Sequence, residues 1–483
     1  MRRLRSSGFL RWSSLPAEIR NMILNTIADL RNPRWSALAS VSKEWQSVIG
    51  ARNMAKLELR TVPCVQDVEK ITQQRGLVRH IYLKLEQPRH YLPSVGKVMS
   101  WALPELLYIL STWKTTGPLT LEINAVSPKD EKRWGRDFRF DDDHDASNRD
   151  LTASETDRHE PRYTWEIGDQ VIERYHPKMP DLFRPVKLSG NFNWRVIKHV
   201  TAVTCLMIRR QFRRFITPAD LELLFSKLDC LTDVVYESWS PEYTDGPWGW
   251  TAGSIELRGV VPITLPEPLK RLIIFRDSVE YITRGVRIFR MYHPLPSWRG
   301  DGTSMDHPER NSRRLAQTSL RLEELSISFI IDAEDFFAHC DPTWTWEHLH
   351  SLALTSNLLQ NGKDHETEVN TLLLTMAKYS MRMPALKTLV LWSGSAGNAC
   401  AFIFTRREKC ANILWRGTWT LRFYPEVLDA WRDVAMSQSW DLRSEFEHIQ
   451  KTIKNHGDAL HYLNLPCKVI EPTSLWQIRK ESA

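Results

Sequence analysis

A short apolar pattern recurs along this chain and limits its fold more than any other feature. Apolar-x-x-apolar-x-apolar occurs at Val78/Ile81/Leu83, Val203/Leu206/Ile208, Leu231/Val234/Tyr236, Leu269/Leu272/Ile274, Leu322/Leu325/Ile327, Leu349/Leu352/Leu354, Leu386/Leu389/Leu391 and Leu460/Leu463/Leu465. The last two apolar positions lie two residues apart, the period of a strand burying one face. Helical stretches fall between these runs. "TPADLELLFSKL" offers Thr217 as cap, Pro218 at the first helical position, and Leu221, Leu224, Phe225 and Leu228 on one face. "EVNTLLLTMAKY", "YPEVLDAWRDVA" and "LRSEFEHIQKTIKNHG" read the same way, the last grouping Phe446, Ile449 and Ile453 before Gly457. Strand followed by helix, repeated, predicts an α/β fold with a parallel sheet and right-handed crossovers.

The run "LKTLVLW" is typical of the strand half of a leucine-rich repeat, but the periodicity is degenerate. From Val203 onward, repeat starts lie from 27 residues apart (Leu322 to Leu349) to 74 apart (Leu386 to Leu460). Asn357 alone supplies the asparagine that a regular repeat uses in its turn. The expectation for residues 75–470 is therefore an irregular leucine-rich-repeat-like α/β solenoid; a non-repeat α/β domain stays open. Residues 127–160 hold eleven acidic and seven basic side chains and read as a mobile insertion. "SWSPEYTDGPWGW" and "SWRGDGTSMDHPERNSRR" read as further insertions.

Composition bounds the function classes. With 483 residues, 42% hydrophobic and 25% charged, the chain supports more than one domain and a large core. The basic start has no apolar stretch of a secretory signal, and no apolar run is long enough to span a bilayer. Seven scattered cysteines form no Cys-x-x-Cys pair, which argues against a disulfide framework or a zinc module. The expectation is an intracellular protein, cytoplasmic or nuclear, without cofactor or membrane partner. Its net charge of +7 permits an acidic partner without demanding one.

The first fifty residues carry the sharpest functional signal. Pro16 fits a first helical position and Glu18 meets the positive end of the helix. Leu15, Ile19, Met22, Ile23, Ile27 and Leu30 then form one stripe. Asn32-Pro33 reads as the start of a second helix, Ser40 or Ser42 as the cap of a third, and Gly50 as its end. Three short helices bury little surface among themselves, and with no cysteine present the missing surface must come from protein.

"LPAEIRNMIL" followed by "LASVSKEW" resembles the F-box motif, across residues 13–50. The resemblance implies a three-helix unit that docks on Skp1, and through it on a cullin, with Leu15, Pro16, Ile19, Ile23, Val41 and Trp45 facing the adaptor. The body is similar to the long C-terminal region of F-box-like proteins of filamentous fungi, most clearly in residues 200–239 and in "FYPEVLDAWRDVA". That likeness brings no catalytic residue and no ligand.

Other constellations are weaker. "RRQFRRF" gathers Arg209, Arg210, Arg213 and Arg214, a possible anion site whose competing reading is a turn with its arginines paired to the chain's own acids. Trp239, Tyr243, Trp248 and Trp250 would suit substrate recognition or fold back onto the sheet. "DDDHD" around His144 lacks a rigid setting for a metal, Cys400 and Cys410 have no nearby His, and "WSGSAG" lacks the ending of a phosphate loop and reads as a loop after a strand. The expected function is a non-catalytic substrate receptor of an SCF (cullin-RING) ubiquitin ligase. The alternative is an F-box-like scaffold or weak nucleic-acid binder acting outside degradation.

Overall fold

The computed structural model describes residues 12–30, 35–86, 95–114, 116–127, 165–166, 169–170, 186, 188, 193–212, 214, 216–239, 265–277, 308–360, 364–407, 410–437 and 440–481. Twelve strands form one sheet: β1 (Lys56–Leu59), β2 (His80–Glu86), β3 (Thr120–Val126), β6 (Cys205–Ile208), β7 (Asp233–Trp239), β8 (Arg271–Asp277), β9 (Glu324–Asp332), β10 (Ser351–Thr355), β11 (Thr388–Ser395), β12 (Asn398–Arg407), β13 (Cys410–Gly417) and β14 (Asp441–His448). They lie side by side in chain order; two short strands, β4 (Trp165–Glu166) and β5 (Asp169–Gln170), pair only with each other. Every neighbouring pair is parallel except β11–β12 and β12–β13.

The apolar pattern explains this order. Leu57, Ile81, Leu121, Leu206, Val234, Leu272, Leu325, Leu352 and Leu389 stand in register across nine parallel strands. Just ahead of the strands the ladder continues through backbone bonds: Arg79 donates to Ala55, Thr120 to Arg79, Cys205 to Leu119, Asp233 to Thr204, Arg271 to Thr232, Glu324 to Lys270, Ser351 to Glu323 and Thr388 to His350. Each turn of chain thus enters the sheet at the same height as the one before.

On the first face of the sheet, these rows pack under helices α3 (Val62–Asp67), α4 (Val95–Leu110), α5 (Pro218–Phe225), α6 (Pro308–Ser319), α7 (Ala333–Ala338), α8 (Glu366–Ser380) and α9 (Pro425–Met436). Leu106, Leu224, Leu315, Phe336, Leu373 and Trp431 bring these helices into one core. The predicted helices at "TPADLELLF", "EVNTLLLTMAKY" and "YPEVLDAWRDVA" are α5, α8 and α9; Thr217 caps α5 by accepting from the Asp220 N–H.

The second face changes character along the sheet. Across β1, β2 and β3 it carries Glu58, Tyr82 and Glu122 in register. Toward β13 it is apolar, and Phe275, Ala353, Val390, Trp392, Ala401 and Leu414 pack against α10 (His456–Leu463) and α11 (Pro472–Glu481). Gly394 and Gly457 permit this packing: a Cβ on Gly394 would sit 2.4 Å from the Ala459 Cβ, and one on Gly457 2.6 Å from Ile478 Cγ2.

Several expectations need correction. "DLRSEFEH" is strand β14 rather than helix: pairing with β13 from Cys410↔Asp441 to Gly417↔His448 outweighs its helical spacing. Conversely, Leu460 and Leu463 lie in helix α10 and Leu465 just beyond it, because Asn455 caps its start and Asn464 closes it in a left-handed conformation at φ 43°. Within "WSGSAG", Ser393, Gly394 and Ser395 end β11, and Ala396-Gly397 makes the tight turn into β12 with Gly397 at φ 77°. The expected insertion lies outside the described residues apart from Ser127.

At the N-terminus, α1 (Ala17–Leu30) is followed by a 3-10 helix over Trp35–Ser40 and by α2 (Lys43–Ala55). Ser42 caps α2, accepting from the Trp45 N–H at 3.4 Å. Gly50 does not end that helix, which runs on to Ala55 and straight into β1, while Asn32-Pro33 lie outside the described residues.

Candidate functional site

The N-terminal helices bury few side chains. Within α1 and α2 only Leu24, Ala28 and Ile49 are fully buried. Four apolar groups stay exposed: Ile19 at 41%, Met22 at 64%, Leu30 at 64% and Val41 at 59%. Of the residues expected to face an adaptor, Ile19 and Val41 are exposed apolar groups, Pro16 is exposed, and Leu15, Ile23 and Trp45 are half-buried. Scattered exposed apolar residues are ordinary on a soluble protein. Four on one small helical unit with so little core are not.

Polar groups order this unit. Glu44, in the first turn of α2, accepts from Arg20 Nε at 2.7 Å and from Trp12 Nε1 at 2.9 Å. The Arg20 hydrogen bond, then that of Trp12, holds the Glu44 carboxyl below its usual range. Arg20 also donates to the Leu15 carbonyl at 2.5 Å, and the Trp12 and Trp45 rings meet at a tilt of 39°, their centroids 5.8 Å apart.

The arginine-rich stretch turns inward. Arg209, Arg210 and Arg214 are all buried; Arg213 lies outside the described residues. Arg209 pairs with Glu122, which also accepts from His80 Nε2 at 2.8 Å, and its guanidinium lies 5.9 Å from the Tyr82 ring. Burial pushes the Glu122 carboxyl up, but His80 and Arg209 outweigh it and the net shift is downward. Arg210 donates from Nε to Asp277 Oδ2 at 2.6 Å and from its backbone N–H to Glu237 Oε2 at 3.1 Å. His456 Nε2 lies 3.1 Å from the other Asp277 oxygen. Burial again opposes ionisation of Asp277, yet Arg210 and His456 bring it down to about 2. Arg214 donates to the Ala125 carbonyl at 3.1 Å.

Sequence reading missed the acidic half of this network. Glu237 is fully buried, accepts from the Glu471 N–H at 2.6 Å and from the Ser474 hydroxyl, and is pushed up to about 7, first by burial and then by Glu471. The available signal was an acid inside an apolar strand: Glu122 in "LTLEINAV", Glu237 in "VVYESW" and Asp277 in "LIIFRD".

Trp239 ends β7 opposite Asp277, its side chain outside the described part; Tyr243, Trp248 and Trp250 lie outside the described residues. Cys400 is buried and its thiol is pushed up to about 12, chiefly by burial. Among the described residues no group of three His, Cys, Asp or Glu could hold a metal, and no helix is long and apolar enough to cross a membrane.

A family model described as a family of unknown function (DUF6546) matches residues 264–471, from just before β8 to just before α11. The chain is similar to that family over this segment, which leaves out the N-terminal helices. No curated protein and no solved structure matches the chain.

Proposed function

We propose that the chain is a non-catalytic substrate receptor: residues 13–50 act as an F-box that docks on Skp1, and the sheet-bearing body holds a protein for ubiquitination by a cullin-RING ligase. One observation carries this reading. Ile19, Met22 and Val41 are exposed on a unit whose fully buried helical side chains are Leu24, Ala28 and Ile49 alone, and these residues fall within the F-box-like spacing. Burying one such side chain is worth roughly 1.5–3 kcal/mol, so a protein partner would stabilise this surface where solvent does not.

The body reads as an irregular leucine-rich-repeat-like solenoid. In support of this, six of the eight apolar repeats become the neighbouring parallel strands β6 to β11 in one register, and a seventh becomes β2, joined to them through β3. Such a receptor works by proximity, raising the effective concentration of substrate lysines near the charged E2. Nucleic-acid binding is the less favoured alternative, because Arg209 and Arg210 already face the carboxylates of Glu122 and Asp277. The proposed site of action is intracellular.

Co-purification tests the docking. The wild-type chain should bring down Skp1, and a Leu15→Ala/Pro16→Ala variant should lose it while keeping its melting temperature. A wild-type chain that recovers no Skp1 would sink the proposal.

A further inference from the structure

The Leu15–Pro16 turn must reach the adaptor in one geometry, yet apolar packing holds it only weakly. Leu15 is half-buried and Pro16 exposed. The backbone adds two bonds there, from Leu15 N–H to Trp12 at 3.2 Å and from Arg20 N–H to Pro16 at 3.1 Å. What closes the turn is Glu44, 28 residues beyond Pro16. One oxygen takes Arg20 and the other takes Trp12, so a single carboxylate on α2 grips the chain on both sides of Leu15–Pro16. Arg20 relays the hold to the turn itself through the Leu15 carbonyl.

We propose that Glu44 is a positioning residue for the adaptor-docking surface, fixing the Leu15–Pro16 turn and Ile19 relative to Val41 and Trp45. This rests on the docking reading above and adds to it a residue outside the set expected to face the adaptor. An isolated ion pair at an open surface contributes little. Here the Arg20 and Glu44 side chains are only 22% and 32% exposed, and the pair is reinforced by the Trp12 and Leu15 bonds.

Losing the clamp would leave the turn competent for only part of the time. Apparent affinity then falls by that fraction, through slower association, while contacts formed after docking, and hence dissociation, stay the same. A residue that merely touched the adaptor would change dissociation instead.

The test uses the full chain as wild type, Glu44→Ala, Glu44→Gln, Arg20→Met and the double variant Arg20→Met/Glu44→Ala. Two readouts are taken: hydrogen exchange at the Leu15 and Arg20 amides of the free protein, and binding kinetics with purified Skp1. Glu44→Ala should speed exchange about three- to tenfold and slow association about three- to tenfold, with dissociation within about twofold and unchanged melting. Glu44→Gln, which keeps an acceptor, should fall between wild type and Glu44→Ala. The double variant should be no worse than Glu44→Ala, since both changes break one network. Unchanged exchange and association in Glu44→Ala would overturn the proposal. Faster exchange in Glu44→Ala, together with a wild type that never binds Skp1, would uphold the clamp and overturn the adaptor as its purpose.

Discussion

Gly394 offers a sharp test of how the C-terminal helices close the second face of the sheet. In Gly394→Ala the new Cβ would lie 2.4 Å from the Ala459 Cβ on α10. Carbon atoms in contact rest at about 3.5–4.0 Å, so α10 would have to retreat by more than about 1 Å. It has no free direction to do so, because its other side meets α11 so closely that Gly457 leaves no space for a Cβ beside Ile478. Overpacking of this kind costs about 1–3 kcal/mol. Chemical denaturation should show that loss, and limited proteolysis should show earlier cleavage within residues 449–481. Ala459→Gly removes the opposing methyl but costs about 1 kcal/mol as a helical glycine. The double variant should therefore recover most of the clash while keeping the glycine cost, a coupling that separate effects would not produce. Wild-type stability in Gly394→Ala would refute the packing described here.

Four further outcomes follow from the buried network and the helix cap. Glu237 has a folded value near 7, above its ordinary 4.5, so its stabilising contribution is complete below about pH 4.5 and is lost as pH rises toward 7; denaturation across that range should show a slope that Glu237→Gln flattens. Asp277→Asn should cost about 3–5 kcal/mol by denaturation at pH 7, since it leaves the fully buried Arg210 without its carboxylate. With Asp277 held near 2, below its ordinary 3.8, its contribution is present above 3.8 and fades as pH falls toward 2. Ser42→Ala should lower stability by only about 0.5 kcal/mol, the low end for a cap, because the bond to Trp45 is long at 3.4 Å.

Much of the fold was legible because the strand signal is local. Leu269/Leu272/Ile274 and its relatives mark strands buried on one face, and the intervening caps and apolar stripes mark α5, α8 and α9. The pattern missed β3 because Pro118 occupies its leading apolar position, and β1 because Met54/Leu57/Leu59 sits at the end of α2. It misled at α10 and β14, where the same spacing serves two geometries and only the neighbours decide. Asn455 and Asn464 were the local signs of a helix; β14 had no such sign, and the β13 ladder alone makes it a strand. At the candidate site the exposed stripe of α1 could be read from its period, because Ile19 and Met22 lie on one side of a helix. Glu44 could not: its partners Arg20 and Trp12 lie 24 and 32 residues away, and no spacing rule links them.

The most direct test of the central claim is the affinity of purified Skp1 for the wild-type chain and for Ile19→Asp/Val41→Asp. Both side chains are exposed in the free protein, so the change should leave the melting temperature where it was. Wild type should bind specifically and the variant about 100-fold or more weakly, as expected when two apolar contacts worth roughly 1.5–3 kcal/mol each are replaced by charge. Equal affinity for both proteins, or no binding by either, would contradict that claim.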